Sequence, residues 1–162
     1  MTLNYQQLKT YFIDHLSRIY CGKQHIVDRF PELVTRAEFK DIRLAICETV
    51  DDVKTQIARM DEIFKKLGED VKMGPCLGLK ALLDEAANAI NEQRDDAIMR
   101  DMAILFYLQN IESTEVASFQ VLRMVARALN NAEISQLLLE NFDEAKEDRN
   151  LLLELTKKYL PD

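Results

Sequence analysis

Hydrophobic residues recur every three or four positions along four long stretches of the chain, which is the spacing of one buried face on an α-helix. The spacing predicts four long helices, over about residues 4–30, 35–67, 95–129 and 132–159. At 1.5 Å per residue each would be on the order of 40 to 50 Å long. A shorter amphipathic segment, with apolar residues from Leu79 to Ile90 on one face, lies between the second and third. No alternating run of β-branched residues competes with helix, so the pattern predicts an all-α protein.

Capping and turn residues mark the ends of these helices. Capping-box spacing occurs twice, at Asn4 with Gln7 and at Thr35 with Glu38. Pro31 is expected to end or bend the first helix. Asn130 and Asn131 supply a turn and the N-cap of the last helix.

The only long connection joins the second and third long helices. Gly68, Gly74, Pro75 and Gly78 fall there, which marks a loop. Four long helices with one long connection have the topology of ferritin-like bundles, whereas simple up-down bundles have only short connections. We therefore predict a single domain, residues 1–162, folded as a ferritin-like four-helix bundle with one long crossover that carries a short extra helix.

Composition and charge limit the classes of function. The net charge of −7, with acids and bases interspersed, argues against binding to nucleic acid or to an anionic membrane. No run of 18 apolar residues predicts a transmembrane helix, and no secretory signal is visible. Cys21, Cys47 and Cys76 form no Cys-x-x-Cys pattern, so we expect free thiols in a reducing compartment, the cytoplasm.

Two carboxylates interrupt the apolar stripe of the third long helix. Glu115 falls near the centre of the stripe and Glu112 on its flank. A buried, unpaired carboxylate is costly, so we expect other helices to bring metal ions, cations or hydrogen-bond donors to this level.

Polar residues on the other helices are predicted to meet these acids. In antiparallel helices joined by a short turn, residues equally far from the turn lie at the same height. This places Glu115 level with Glu144 and Asp148, and Lys23 level with Asp51 if the first turn centres near Ala37. The predicted interior cluster is Lys23, Asp51, Lys54, Glu112, Glu115, Asn141, Glu144 and Asp148.

Several short motifs recur in order and nearly without gaps in one known family. They are Leu16-Ser17 with Tyr20, Gln56-Ile57 with Arg59 and Asp61, residues 82–86, Arg100-Asp101, residues 112–119, and residues 138–140 with Glu144 and Lys146. In these residues the sequence resembles the bacterial ferritin-like stress proteins typified by YciE and YciF. The resemblance implies a ferritin-like fold, a homodimer, a role linked to stress and, in some relatives, a dinuclear metal site.

The residues at the expected metal level depart from that family. Ferritin-like dimetal sites use one Glu from each of two helices and a Glu-x-x-His pair from each of the other two. Here Lys23, or Gly22 if the register slips by one, stands where relatives have the first-helix Glu. Asp51 and Lys54 stand where the family has Glu-x-x-His. The histidines, His15 and His25, both lie on the first helix and belong to no such pair.

Three interpretations of the site remain open. In the first, the ammonium groups of Lys23 and Lys54 replace two metal ions and neutralise the acids. In the second, both lysines extend their stems along the core and place their charges in solvent. In the third, a carboxylate site built from Glu112, Glu115, Glu144 and Glu147 or Asp148 binds Fe or Mn.

The first interpretation predicts a non-catalytic structural or interaction protein of a stress response, without a cofactor and with a degenerate dimetal site. The alternative is a dimetal oxidase or peroxide-consuming protein. A bundle that binds a partner helix or a small apolar molecule is a further possibility.

Overall fold

The computed structural model describes residues 2–161, and these residues form five α-helices and no strand. The helices are α1 (Tyr5–Arg36), α2 (Lys40–Leu67), α3 (Leu77–Glu92), α4 (Ala97–Ala128) and α5 (Ala132–Lys158). Among the described residues, no helix has an apolar stretch long enough to span a bilayer.

The four long helices form a bundle in which each packs against two neighbours. α1 contacts α2 and α4, and α5 contacts the same two helices from the other side. Residues 68–96 carry the chain between α2 and α4, which lie at opposite corners, and α3 within that segment packs on α4 and α1.

The start of α1 follows the sequence prediction. Asn4 Oδ1 accepts a hydrogen bond from the Gln7 backbone N–H at 2.9 Å, and Gln7 Oε1 accepts one from the Asn4 N–H at 3.0 Å. The capping box is therefore confirmed. Pro31 does not end α1, which continues to Arg36.

The start of α2 differs from the prediction. Thr35 lies inside α1, where its hydroxyl donates to the Glu32 carbonyl, so the predicted capping box with Glu38 is wrong. α2 begins at Lys40. Its N-cap residue is Phe39, and the Phe39 side chain makes no capping hydrogen bond. The buried carboxylate of Asp101, on α4, accepts hydrogen bonds from the backbone N–H groups of Glu38 and Phe39 instead.

The turn between α4 and α5 is the predicted one. Asn130 has a φ of 56°, in the left-handed region that Asn tolerates. Asn131 Oδ1 then accepts a hydrogen bond from the Ile134 N–H at 3.0 Å and caps α5.

Two of the cysteines are paired. Cys21 on α1 and Cys76, directly before α3, form a disulfide with their Cα atoms 5.9 Å apart. Cys47 is exposed and is the free cysteine of the described chain. The expectation of three free thiols is therefore wrong in this structure, because the connection after α2 folds back onto α1 and brings together residues that are 55 positions apart.

Candidate functional site

A layer of polar side chains divides the bundle interior into two apolar clusters. On each long helix the apolar residues of one cluster give way to those of the other, and buried polar residues lie at that transition. On α1, for example, Tyr20 belongs to one cluster, Ile26 to the other, and Lys23 lies between them. The buried polar residues at this mid-bundle level are Lys23, Gln56, Glu112, Glu115, Asn141 and Asp148. We call this set, with the half-buried Asp52, the interior cluster.

Lys23 lies at the centre of this layer. Its side chain is fully buried, and its Nζ donates hydrogen bonds of 2.5 Å to Glu115 Oε2 and to Gln56 Oε1. The ammonium group also lies 4.9 Å from the centre of the Phe119 ring, within cation–π distance. A carboxylate, an amide oxygen and an aromatic face therefore replace the water that the ammonium loses on burial.

Glu112 is the least satisfied member of the cluster. It is 1% exposed, and neither of its carboxylate oxygens has a hydrogen-bond partner among the described residues. Burial, and then the neighbouring Glu115 carboxylate, raise the pKa of Glu112 well above its usual range, while Lys23 opposes the rise. The protonated, neutral form of Glu112 is thereby favoured.

Asp148 and Asp52 form an acid pair between α5 and α2. Burial and the nearby Asp52 raise the pKa of Asp148 to about 8. The pKa of Asp52 is also raised, by burial and by Glu144. Because two nearby carboxylates repel each other when both are ionised, the raised pKa of Asp148 favours its protonated form at neutral pH.

Arg59 closes the cluster on the side of α5. Its guanidinium donates two hydrogen bonds of 2.7 Å to Glu144 and a third, of 3.2 Å, to Asn141 Oδ1, and its Nε lies 3.0 Å from Glu140. Asn141 in turn donates to the Gln56 carbonyl. The second cation at this level is thus the half-buried guanidinium of Arg59, whose side chain is 20% exposed.

Some predicted residues are absent from the cluster. Asp51 and Lys54 pair with each other at 3.0 Å on the outside of α2, with side chains 76% and 56% exposed. Their predicted place in the interior is therefore wrong, and the solvent-facing interpretation holds for Lys54 but not for Lys23. Glu144 lies at the rim with Arg59, and Glu147 is exposed on α5.

Sequence reasoning missed Gln56, Asp52 and Arg59, all on α2. The apolar residues of this helix that recur every three or four positions, Ile46, Val50, Val53, Ile57, Met60, Phe64 and Leu67, predict a stripe through Ile57. In the structure Gln56 is fully buried and Ile57 only partly so. A signal was present, because Ile42, Thr49, Gln56 and Ile63 follow one another at intervals of seven and all are buried. A stripe defined by apolar residues alone does not include the Thr and the Gln.

A cavity of about 490 Å³ adjoins the cluster between α1, α4 and the start of α3. Tyr11, His15 and Val121 are among the residues that line it, and Glu115 reaches it from the interior. Oε1 of Glu115 has no hydrogen-bond partner among the described residues. The cavity therefore offers a route from the surface towards the buried acids.

A family model described as "Domain of unknown function (DUF892)" matches residues 7–161. The chain belongs to this family. Protein YciF from Escherichia coli strain K12, which typifies the family, is 24% identical over 145 residues, covering 89% of this chain and 87% of YciF.

Two solved structures resemble the DUF892 chain closely in fold. The E. coli stress protein YciF matches with a TM-score of 0.88 and 24% identity, covering 94% of this chain and 96% of that one. YcfI from Rhodopseudomonas palustris matches with a TM-score of 0.85 and 25% identity, covering 94% and 97%. The helical-bundle fold and the family resemblance predicted from sequence are confirmed.

The donor set of this DUF892 member does not fit a two-metal site of the ferritin-like kind. No histidine is present in the interior cluster, whereas two Glu-x-x-His pairs supply the usual imidazoles. The ammonium of Lys23 contacts the Glu115 carboxylate, and Arg59 binds both oxygens of Glu144. A protonated ammonium cannot coordinate a metal ion and repels a divalent one.

Proposed function

We propose that this DUF892 protein is a non-catalytic structural or interaction protein of a stress response, a ferritin-like bundle whose dimetal site is degenerate. In this proposal the cations of Lys23 and Arg59, together with protons on Glu112 and Asp148, neutralise the interior acids in place of metal ions. The protein would need no cofactor to fold.

The contact between Lys23 and Glu115 carries the proposal. A carboxylate at the centre of a bundle that is meant to bind metal must be free to reach the ion, and here one oxygen of Glu115 is held by an ammonium at 2.5 Å. The partner of this carboxylate is supplied by α1, the helix from which relatives are expected to provide a ligand. Arg59 holds Glu144 in the same way on the other side of the layer.

The chain path supports the ferritin-like assignment. Residues 68–96 lead from α2 to α4, which occupy opposite corners of the bundle, while the α1–α2 and α4–α5 joins are only three residues long. One long connection between the second and third long helices is the feature that separates ferritin-like bundles from simple up-down bundles.

One observation favours the alternative of a metal-dependent oxidase with an unusual carboxylate site. Both oxygens of Glu112 are buried with no hydrogen-bond partner within residues 2–161, and the Asp52–Asp148 pair lies at the same level. Oxygen ligands of this kind suit Mn²⁺ and other hard cations. The two proposals therefore differ in whether protons or metal ions occupy these carboxylates.

A titration with Fe²⁺ and Mn²⁺ separates the two functions. Protein with the Cys21–Cys76 disulfide intact and Cys47 alkylated would be equilibrated anaerobically with each ion, and the bound metal measured after gel filtration. We expect no ion retained at the carboxylates and no consumption of oxygen or peroxide when either is added. The proposal would be overturned by retention of about two ions per chain, the ferritin-like number, that is lost in Glu115→Ala.

Glu147→Gln is the matched control, because Glu147 is an exposed acid on α5 outside the cluster. Metal that disappears in both variants reflects surface charge, and metal that disappears only in Glu115→Ala reports an interior site. Circular dichroism of Glu115→Ala establishes that the helices persist.

We further propose that two copies of the chain associate through the outer face of α4. Met99, Phe106, Val121 and Met124 expose 44 to 63% of their surface. At 100° per residue these four side chains lie within an arc of about 60° on the helix. A run of large apolar side chains on one outer face is typical of an interaction surface.

A further inference from the structure

A second group of reactive side chains lies away from the interior cluster, where the segment before α3 crosses α1. Cys21 and His25 are four residues apart on α1 and so lie on the same side of the helix. Cys76 approaches them from the start of α3. One ligand atom from each of the three residues lies within 4.8 Å of the other two.

We propose that in the reduced protein Cys21, His25 and Cys76 bind a zinc ion, and that the disulfide is the oxidised, metal-free form of the same site. Two thiolates and an imidazole are a ligand set that zinc prefers, with Zn–S distances of about 2.3 Å and Zn–N distances of about 2.0 Å. The interior cluster offers oxygen ligands, which zinc binds less selectively than thiolates.

Hydrogen bonds and close packing hold the segment around Cys76 against α1 independently of the disulfide. The Gly74 N–H donates to the Ser17 carbonyl at 3.3 Å, and Arg18 donates to the Pro75 carbonyl at 3.2 Å. Close packing adds to this, since a Cβ placed on Gly22 would lie 2.3 Å from a methyl carbon of Leu79. The three ligands would therefore stay near one another when the sulfur–sulfur bond is reduced.

The surroundings suit a metal with one open position. Cys21 is buried, whereas His25 and Cys76 are half-buried, and Cys76 also lines the 490 Å³ cavity. Water can thus reach an ion held by three protein ligands, as in zinc sites that keep a fourth position open. Cys76 is also the N-cap of the 16-residue α3, and the positive end of a helix dipole favours a thiolate.

The zinc form is converted to the disulfide form by a two-electron oxidation, in which a peroxide is the oxidant. The two zinc-bound thiolates lose one electron each and join as a disulfide. The peroxide O–O bond accepts these two electrons and two protons, so that hydrogen peroxide leaves as two water molecules, and the zinc ion is released because its sulfur ligands are gone. A cellular dithiol would restore the thiol form by exchange, giving two electrons and two protons to the Cys21–Cys76 disulfide and becoming a disulfide itself.

The test uses the full chain, reduced with a non-chelating phosphine and then freed of it. Zn²⁺ would be titrated in competition with a chromophoric chelator, and Co²⁺ used as a spectroscopic substitute. We expect about one ion per chain, as for other Cys- and His-ligated sites, with thiolate-to-cobalt charge-transfer bands. Hydrogen peroxide should release the zinc, and the disulfide form should bind none.

Matched variants assign the ligands. Cys21→Ser and Cys76→Ser should lose the binding, and Cys47→Ser should keep it, because Cys47 is exposed on α2. His25→Ala should weaken it by roughly tenfold or more, and His15→Ala on the same helix should not. Unchanged affinity in His25→Ala would overturn the three-ligand site.

Alkylation of the wild-type cysteines tests the zinc site even if a serine variant does not fold. Zinc should protect Cys21 and Cys76 from alkylation by iodoacetamide while Cys47 reacts at its usual rate, as measured by peptide mass spectrometry. Equal alkylation of the half-buried Cys76 with and without zinc would overturn the proposal.

Discussion

Lys23 and Glu115 are two buried charges that depend on each other. Removing one partner of a buried ion pair leaves the other uncompensated, which typically costs about 3 to 5 kcal/mol, whereas replacing both with apolar groups is often neutral. We expect Lys23→Met to lower the free energy of unfolding by that amount. The double variant Lys23→Met/Glu115→Leu should recover most of the loss. Urea denaturation of both single variants and the double variant measures the coupling.

Lys54→Met is the control for this cycle. Lys54 makes a similar contact with Asp51, but both side chains are more than half exposed. Exposed pairs contribute little, so we expect a change below about 0.5 kcal/mol. If Lys23→Met costs no more than Lys54→Met, Lys23 is not a buried counter-charge.

Asp148 makes the stability of the protein depend on pH. Its pKa is about 8 in the folded chain, against an ordinary value of 3.8. The folded state therefore holds the proton more tightly, and this contribution to stability is complete below about pH 4 and is lost as the pH rises to about 8. We expect the free energy of unfolding to fall between pH 5 and 8.5, with a slope from this group of at most about 1.4 kcal/mol per pH unit.

Asp148→Asn removes this titration, so its stability should decline less steeply over the same range in urea denaturation. Glu112 titrates as well, because its pKa is also raised by burial, and so a residual slope remains. Asp143→Asn, an exposed position on α5, should retain the wild-type slope. Identical slopes for wild type and Asp148→Asn would show that Asp148 is ionised in the folded state throughout.

At the scale of helices, Asp101 joins α4 to the start of α2. Its buried carboxylate accepts from the backbone N–H groups of Glu38 and Phe39, at 2.9 and 2.8 Å. Asp101→Ala leaves two backbone N–H groups just before α2 without an acceptor, which we expect to cost about 2 to 4 kcal/mol. Hydrogen exchange should accelerate most at the first turn of α2.

Asp96→Ala provides the comparison for a cap within a single helix. Asp96 caps α4 by accepting from Ile98 and Met99 in its own first turn, and it is exposed. Its loss should cost about 1 kcal/mol and affect only α4. If Asp101→Ala has a similarly small and local effect, the contact between α4 and the start of α2 adds nothing to the free energy of unfolding.

The starts of the helices show which features the sequence predicts. The caps at Asn4 and Asn131 are formed by residues three positions apart, so local spacing is enough to predict them. The hydrogen bonds from Glu38 and Phe39 to Asp101 join residues more than 60 positions apart, and Thr35 and Glu38 had the spacing of a capping box that the structure does not use.

The interior cluster likewise contains residues that the sequence predicts and residues that it does not. Glu112 and Glu115 were predicted because they interrupt an apolar stripe, and Lys23 because its distance from the first turn places it at the level of the polar residues on α2. Gln56 and Asp52 could not be found from a stripe drawn through Ile57, since a rotation of α2 by one residue, about 100°, exchanges the inner and outer polar residues. The Cys21–Cys76 pairing depends on the path of a loop, which helical periodicity does not describe.

At the scale of the whole molecule, the outer face of α4 predicts the oligomeric state. Its exposed apolar residues include Phe106 and Met124, which point in the same direction because they are 18 residues, or five full turns, apart. Between them the same face carries the small residues Ser113 and Ala117, so that a second helix can approach closely. Burial of this face between two copies would remove its apolar surface from water.

Sedimentation equilibrium tests this association directly. We expect the wild-type chain to have the mass of a dimer, and Phe106→Glu/Met124→Glu to have that of a monomer, because two carboxylates from each copy would be buried at the interface without partners. Leu44→Glu should remain dimeric, since Leu44 is equally exposed, at 59%, but lies on α2. If Leu44→Glu dissociates the dimer and the α4 variant does not, the copies associate through α2. A wild-type monomer at every concentration would exclude the homodimer.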